Sequence, residues 1–263
     1  MIRKIVSSVI LILLIFTFSQ ELNTKSNTDF IQVGEELLYE VSFFGVKLGT
    51  IKMVIKKKDE LNGKSVIYGQ AYIDSYDGIP FVDLHVIYNS WMHPKINYSY
   101  KFISNMKEDD GWYYEKITFD YQNKKIKIEG FKKKKRIKNL TIKTKRKWFD
   151  GFSLFHVARK LLYIKKNVSI PTLMGDDTVF TTINFSGKKK KVDIDAVDYP
   201  VRTVYFNGNA NWTGVYGMTG EFEGWFSDDK ARVPIKAKMK VYVGSVNIEL
   251  IKWKRPDGWK PPR

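Results

Sequence analysis

From Gly34 onward apolar side chains recur at every second position, and a chain with that period buries one face by standing in a sheet. Leu37, Tyr39, Val41 and Phe43 alternate with Glu36, Glu40 and Ser42. After a turn at Gly45 to Gly49, Ile51, Met53 and Ile55 alternate with Lys52 and Lys56, so the segment opens as a hairpin. Further alternating runs lie at 66–73, 82–88, 98–102, 113–121, 126–128, 179–185, 192–197, 201–206 and 221–226. The clearest comes last, where Ile235, Ala237, Met239, Val241 and Val243 alternate against Lys236, Lys238 and Lys240 before a return over 246–253. About a dozen such strands form a sheet that must curl or close, because a flat one leaves long edges open to other chains. The expected fold is therefore mainly β: a large, strongly curved antiparallel sheet, an open barrel or half-barrel.

The period changes once. Asp150-Gly151-Phe152-Ser153 leads into Leu154, Phe155, Val157, Ala158, Leu161 and Leu162, an apolar stripe of helical spacing. Asp150 is placed as its N-cap and Lys165 and Lys166 at its C-terminal end, which predicts one substantial helix near 151–164. Pro256, Pro261 and Pro262 keep 255–263 out of a central strand, and that stretch is expected to be a loose tail.

The first residues carry a separate signal. Arg3 and Lys4 precede an apolar run over 5–18, followed at once by Ser19-Gln20-Glu21, the layout of a secretory signal peptide. The run is shorter than the roughly 20 apolar residues of a stable bilayer-spanning helix. The chain thus divides into a signal at 1–19, an extension at 20–33, one β domain at 34–254 and the tail. Cleavage after Ser19 or retention as an anchor both stay open. Export to the periplasm is the expected location, with membrane association as a variant of it. The absence of cysteine excludes a lipoprotein anchor on that residue, disulfides and thiolate chemistry.

The formal charge of +17 is concentrated. Between Lys124 and Lys147 thirteen Lys or Arg face the single acid Glu129. Export removes nucleic acid as a partner and leaves anionic lipid or envelope polymer. Lys132, Lys133, Lys134, Lys135 and Arg136 sit between two short strands, either as a solvated hairpin tip or as an electrostatic foot on an anionic membrane.

Chemical motifs are sparse. His85, His93 and His156 show no metal-ligand spacing, and no cofactor motif is present. Gly151-Phe152-Ser153 begins like a nucleophile elbow, but Phe155 stands where the elbow requires glycine. The acidic pairs Asp176-Asp177, Asp193 with Asp195, and Asp228-Asp229 are too few for a calcium loop and fit turns as well as a glycosidase pair. No catalytic constellation is recognised. The many aromatics fill a core or line an open lipid groove.

Asp150-Gly151-Phe152-Ser153 with Arg159, and Gly224-Trp225-Phe226-Ser227-Asp228-Asp229 continuing through Arg232, Pro234, Ile235 and Gly244 to Glu249-Leu250, resemble the bacterial family catalogued as domain of unknown function 3108. Gly34-Glu35, Tyr39 and Gly49 fit it too. The resemblance implies an exported protein of Gram-negative type with a sheet similar in outline to lipoprotein carriers, and it implies no established activity. The chain departs from the family at Ala196-Val197-Asp198-Tyr199-Pro200, where a glycine-containing turn is usual. Asp150, Ser153, Arg159, Trp225, Ser227, Asp228, Asp229 and Arg232 are its candidate binding residues. They also have a structural reading: Asp150 and Ser153 cap the helix, Asp228 and Asp229 cap the turn before Arg232, and Arg159 pairs with Asp228 or Asp229. The leading expectation is a non-catalytic module that takes a lipid or an acylated protein on the concave face. An assembly protein binding another envelope protein, and a hydrolase of envelope polymer, are the alternatives.

Overall fold

The structure is a computed structural model that describes residues 30–79, 83–212, 219–241 and 244–263. The signal-like segment 1–19, most of the 20–33 extension, and the strand residues Val82 and Val243 lie outside the described residues. Fifteen strands are arranged as β1 (Glu36–Phe43), β2 (Val46–Leu61), β3 (Lys64–Ser75), β4 (His85–Met92), β5 (Ser99–Glu108), β6 (Gly111–Asp120), β7 (Lys125–Lys132), β8 (Lys135–Lys143), β9 (Asn167–Met174), β10 (Asp177–Asn184), β11 (Lys189–Val192), β12 (Val201–Ala210), β13 (Gly220–Ser227), β14 (Pro234–Lys240) and β15 (Ser245–Lys254). The helix α1 (Gly151–Leu161) lies between β8 and β9.

All strands belong to one antiparallel sheet in the order β8-β7-β6-β5-β4-β3-β2-β1-β15-β14-β13-β12-β10-β9, with β11 on β12. The first and last strands meet their neighbours through β1 and β15, whose full-length ladder runs from Glu36 opposite Lys254 to Phe43 opposite Val246. Register shifts at Leu38/Tyr39, Ile55/Lys57, Trp91/Met92 and Trp225/Phe226 add local bend, as an extra residue in one strand does. The sheet curls without closing, so β8 and β9 stay edges. Trp148 and Phe149 cross the gap: the Ser99 amide donates to the Trp148 carbonyl at 2.9 Å, and Phe149 exchanges hydrogen bonds with Pro171 and Leu173 at 3.0 and 2.8 Å. These backbone links join the two sides of that seam.

Inward side chains form one main core, from Leu37, Met53 and Ile55 through Ile117, Ile126 and Ile128 to Phe206, Phe226 and Leu250. The helix lies inside the curve because a strand glycine makes room for it. A Cβ at Gly69 of β3 would come within 2.5 Å of the Phe152 ring. At Gly224 of β13 the Phe206 ring takes the same place, at 2.4 Å. Such glycines let a strand bend while an aromatic ring covers the bare backbone.

Four expectations are corrected. The first hairpin turns over Phe44 and Gly45, at φ 47° and 80°, and Gly49 lies within β2; two residues with positive φ suffice for the tight turn. The run at 192–197 leaves the sheet after Val192, since Asp193, Asp195 and Pro200 favour turns, while Ile194 still buries its side chain. The helix ends at Leu161, and Lys165, at φ 53°, already lies in the following turn; Arg159 and Lys160 are the cations of the last turn. Residues 255–263 are not loose. The buried Arg255 guanidinium pairs with Glu35 and Asp257, the Arg202 amide donates to the Pro262 carbonyl at 2.8 Å, and the Tyr199 hydroxyl donates to the Pro261 carbonyl at 2.8 Å.

Candidate functional site

The matched polar residues gather at one end of the curved sheet, where β1 and β14 begin and β13 and β15 end. Arg159, 1% exposed, reaches from α1 to Glu35, 2% exposed: Nη1 donates to Oε1 at 2.6 Å and Nη2 to Oε2 at 3.0 Å. Nη2 also donates to the carbonyls of Phe30 (2.5 Å) and Ala231 (2.9 Å). The pairing expected with Asp228 or Asp229 is thus replaced by Glu35, which two guanidiniums share, because the 30–35 segment runs beneath the helix.

Asp229 folds the β13–β14 turn instead. Its Oδ1 accepts from the Ser227 hydroxyl at 2.8 Å and from the amides of Ala231 and Arg232 at 2.9 and 3.0 Å, and its Oδ2 accepts from the Trp259 indole at 2.7 Å. Asp228 accepts from the Tyr163 hydroxyl at 3.2 Å and pairs with Lys189 at 2.8 Å. Arg232 Nη1 donates to the Arg159 and Lys160 carbonyls at 3.1 and 2.9 Å, which satisfies groups that a helix C-terminus leaves unpaired. Trp225 is not part of this cluster: it lies against Tyr205, with centroids 5.7 Å apart, under Lys190.

The other end of the helix is equally fixed. Asp150 Oδ1 accepts from the Phe152 and Ser153 amides at 2.9 and 2.8 Å, and Oδ2 from the Ser90 hydroxyl at 2.6 Å. Ser153, fully buried, lies 2.8 Å from Ser99 Oγ. Burial pushes the Asp150 carboxyl up, and hydrogen bonding from Ser90, Ser99 and the Ser153 and Phe152 amides opposes that shift. Neither group faces an open space, so they pin the helix to β4 and β5 rather than present a nucleophile.

Those two anchors make α1 a plug, and on its inner side lies a cavity of about 640 Å³. Phe152, Leu154, Phe155 and Ala158 form its floor. Ile51, Ile73, Tyr88, Phe102, Ile117, Ile183, Phe222, Ala237 and Ile248 wall it, and Leu84, Met106, Tyr113, Trp212 and Met239 stand toward the opposite ends of the strands. Two of the inward polar groups are engaged. Glu115 accepts from the Tyr113 hydroxyl at 3.0 Å and from Lys138 at 2.8 Å, and Thr181 accepts from the Trp212 indole at 2.9 Å. Burial pushes the Tyr88 and Tyr113 hydroxyls up to about 12, so both stay neutral. Such a largely apolar space admits an apolar group. A second, shallower groove beside Lys58, Asp59, Glu60 and Ser65 has no comparable apolar wall.

The basic run sits on the β7–β8 hairpin, at the same pole as Met106 and Tyr113. Lys133 and Lys134 make the turn at φ 48° and 65°. Five free cations were expected, but Lys132 pairs with Glu108 and Asp110, and Lys133 lies 3.5 Å from Asp110. The adjoining β5–β6 turn thus neutralises part of the charge. The histidines lie in separate surroundings: His85 between Asp74 and Asp83, His93 accepting the Lys95 amide, and His156 buried on α1. Among the described residues no three His, Asp or Glu side chains are grouped as a metal ion requires, and no helix is long and apolar enough to cross a membrane.

Sequence reasoning missed Glu35 as the partner of Arg159 and missed the cavity walls. Glu35 breaks the alternation just before β1, and a buried acid at a strand's entry was the available signal.

A curved, unclosed antiparallel sheet around a helix plug and an apolar cavity defines a barrel-like fold. The chain belongs to the family described as protein of unknown function (DUF3108), whose profile matches residues 38–251. It is also similar to the crystal structure of a β-barrel-like protein of domain of unknown function DUF1849 from Brucella abortus. That likeness has a TM-score of 0.58 at 11% sequence identity and covers 84% of this chain and 97% of the other. No curated protein matches the chain.

Proposed function

We propose that this chain is an exported, periplasmic envelope module that holds an apolar group, the acyl chain of a lipid or of an acylated protein, in the cavity above α1, and performs no catalysis on it. The observation that carries this reading is the cavity itself. Its volume of about 640 Å³ falls within the roughly 300–1,000 Å³ of small-ligand sites. Its walls are apolar, and its floor is closed by a helix held at both ends. The signal-like start at 1–19 supports export, and the remaining cations of the β7–β8 tip, at the pole opposite α1, support contact with an anionic membrane. The Glu35–Arg159–Arg255 assembly, by contrast, is engaged in holding the plug.

The test is native mass spectrometry and lipid extraction of the protein purified from membranes under mild conditions. Co-purifying acyl lipid in the wild type, lost when Ala237→Phe fills the cavity, supports the proposal; lipid absent from both, or present equally in both, overturns it. One observation favours a second reading, an assembly protein that binds another envelope protein. Among the described residues the edge strand β8 pairs only with β7, and it leaves Ile137 and Leu140 exposed. Crosslinking from β8 that recovers a discrete protein partner, with no stoichiometric lipid, would select it.

A further inference from the structure

At the plug end, beside the loop between β4 and β5, a group of cations stands without ion pairs among the described residues. Lys147 Nζ lies 3.8 Å from the centre of the Tyr121 ring and 4.3 Å from that of Tyr98. Lys64 Nζ stands 5.4 Å from the Tyr100 ring, and the Tyr98 and Tyr100 hydroxyls are 3.1 Å apart. His93 packs against Tyr98 with centroids 4.7 Å apart. Lys160, from α1, donates to the Lys95 carbonyl at 2.9 Å and to Asn97 Oδ1 at 2.5 Å, so it and Lys95 border the same patch. None of Lys64, Lys95, Lys147 and Lys160 forms an ion pair among the described residues, whereas Lys132 and Lys138 toward the opposite pole each hold two carboxylates. Asp120, which feels Lys64, is already engaged by Asn123 and Lys125.

Folding has thus brought like charges together, an arrangement that costs energy unless something else is gained. Burial and mutual repulsion hold Lys147, Lys160 and His93 below their ordinary values, the first acting with Lys64, the second with Lys95, and His93 with Lys160, Lys95 and Lys147. His93 Nδ1 accepts the Lys95 amide at 3.1 Å, so the neutral ring carries its proton on Nε2, as a donor. The patch therefore offers ammonium groups, two phenolic hydroxyls and an imidazole N–H, with donors far in excess of acceptors.

We propose that this patch is a binding site for a phosphoryl anion, separate from the apolar cavity. A compact group with several anionic oxygens can accept from Lys64, Lys95, Lys147 and the Tyr98–Tyr100 pair together, and it relieves the repulsion among them. The same chemistry occurs on a free phosphate or pyrophosphate and on a phosphorylated lipid headgroup.

The experiment titrates the full chain with inorganic pyrophosphate at physiological salt, by calorimetry and by the NMR signals of the His93 ring. Saturable binding is expected, with the His93 pKa rising as the anion binds. The double variant Lys147→Gln/Lys160→Gln should bind roughly 30-fold more weakly, from about 1 kcal/mol per cation. Because Lys147 also covers two tyrosine rings, Lys64→Gln/Lys95→Gln, which changes two exposed side chains, should show a similar loss with its melting temperature unchanged. Lys133→Gln/Lys134→Gln on the distant hairpin should bind as the wild type does. Non-saturable binding, or an equal loss in the hairpin variant, would overturn the site as mere accumulation of an anion on a basic protein. Vesicles of phosphatidylglycerol in phosphatidylcholine identify the source: loss of vesicle binding in the patch variants supports a lipid headgroup, and loss confined to pyrophosphate supports a free phosphate.

Discussion

Replacing Glu35 by Gln separates a structural from a binding role for the matched polar residues. The carboxylate is almost inaccessible and receives Arg159 on both oxygens, while Arg255 reaches Oε2. Glutamine keeps the shape and removes the charge, so two buried guanidiniums lose their common anion. Breaking a buried pair on one side costs about 3–5 kcal/mol. The lower end applies here, because Arg159 keeps the Phe30 and Ala231 carbonyls and Arg255 keeps Asp257 at 3.1 Å. About 3 kcal/mol is a large share of a domain's roughly 5–15 kcal/mol. At about 2–4 °C per kcal/mol for a domain of this size, the melting temperature should fall by about 6–12 °C. Thermal and urea unfolding measure it. The double variant Glu35→Gln/Arg159→Met, which removes one stranded cation, should recover part of the loss, and binding in the cavity should survive wherever the fold does. A stability change within about 0.5 kcal/mol, the ordinary size of a surface substitution, would refute the plug argument.

Other consequences follow from the same geometry. Burial holds the His156 imidazole well below its ordinary 6.5, so the folded protein keeps it neutral. The unfolded chain takes up that proton below about pH 6.5, so this contribution is complete above that pH and is lost as pH falls toward the folded pKa; unfolding titrations should show stability falling as pH drops below about 6.5, and His156→Leu should remove that slope. Gly69→Val should cost about 1–3 kcal/mol by denaturant melt, since its Cβ would meet the Phe152 ring at 2.5 Å, and Phe152→Leu in the same chain should restore part of it. Glutamine at Lys133, Lys134, Lys135 and Arg136 should weaken binding to anionic vesicles and its salt dependence in sedimentation assays, whereas Lys132→Gln alone should do little, because Glu108 and Asp110 already hold that ammonium.

The strand pattern was legible because an antiparallel sheet with one wet face writes its period directly into the sequence, as at Ile235, Ala237 and Met239 against Lys236 and Lys238. β9 was not, because Pro171 interrupts its run; the strand tolerates proline as an edge, where that residue's carbonyl still accepts from Phe149. Asp150 as N-cap and Asp229 as turn cap were readable as local hydrogen bonds between near neighbours. The Glu35–Arg159–Arg255 assembly was not, since it joins residues more than 100 positions apart, with Arg159 and Glu35 separated by 124. The tail was misread for the same reason: Trp259 and Pro262 are fixed by Asp229 and Arg202, and prolines that forbid a strand do not forbid packing. The cavity depends on how far a sheet curls around one helix, which local pattern does not encode.

The central claim is that the space above α1 takes an acyl chain. Titration of delipidated protein with fluorescent palmitate, wild type beside Ala237→Phe, tests it most directly. Burying about ten methylenes at about 0.8 kcal/mol each sets a gross gain near 8 kcal/mol, which corresponds to a micromolar dissociation constant before ordering costs. One saturable site of micromolar order or weaker is expected in the wild type, with at least tenfold weaker binding in Ala237→Phe at unchanged fold; equal affinity in the two proteins, or no saturable binding in either, would contradict an acyl-chain site there.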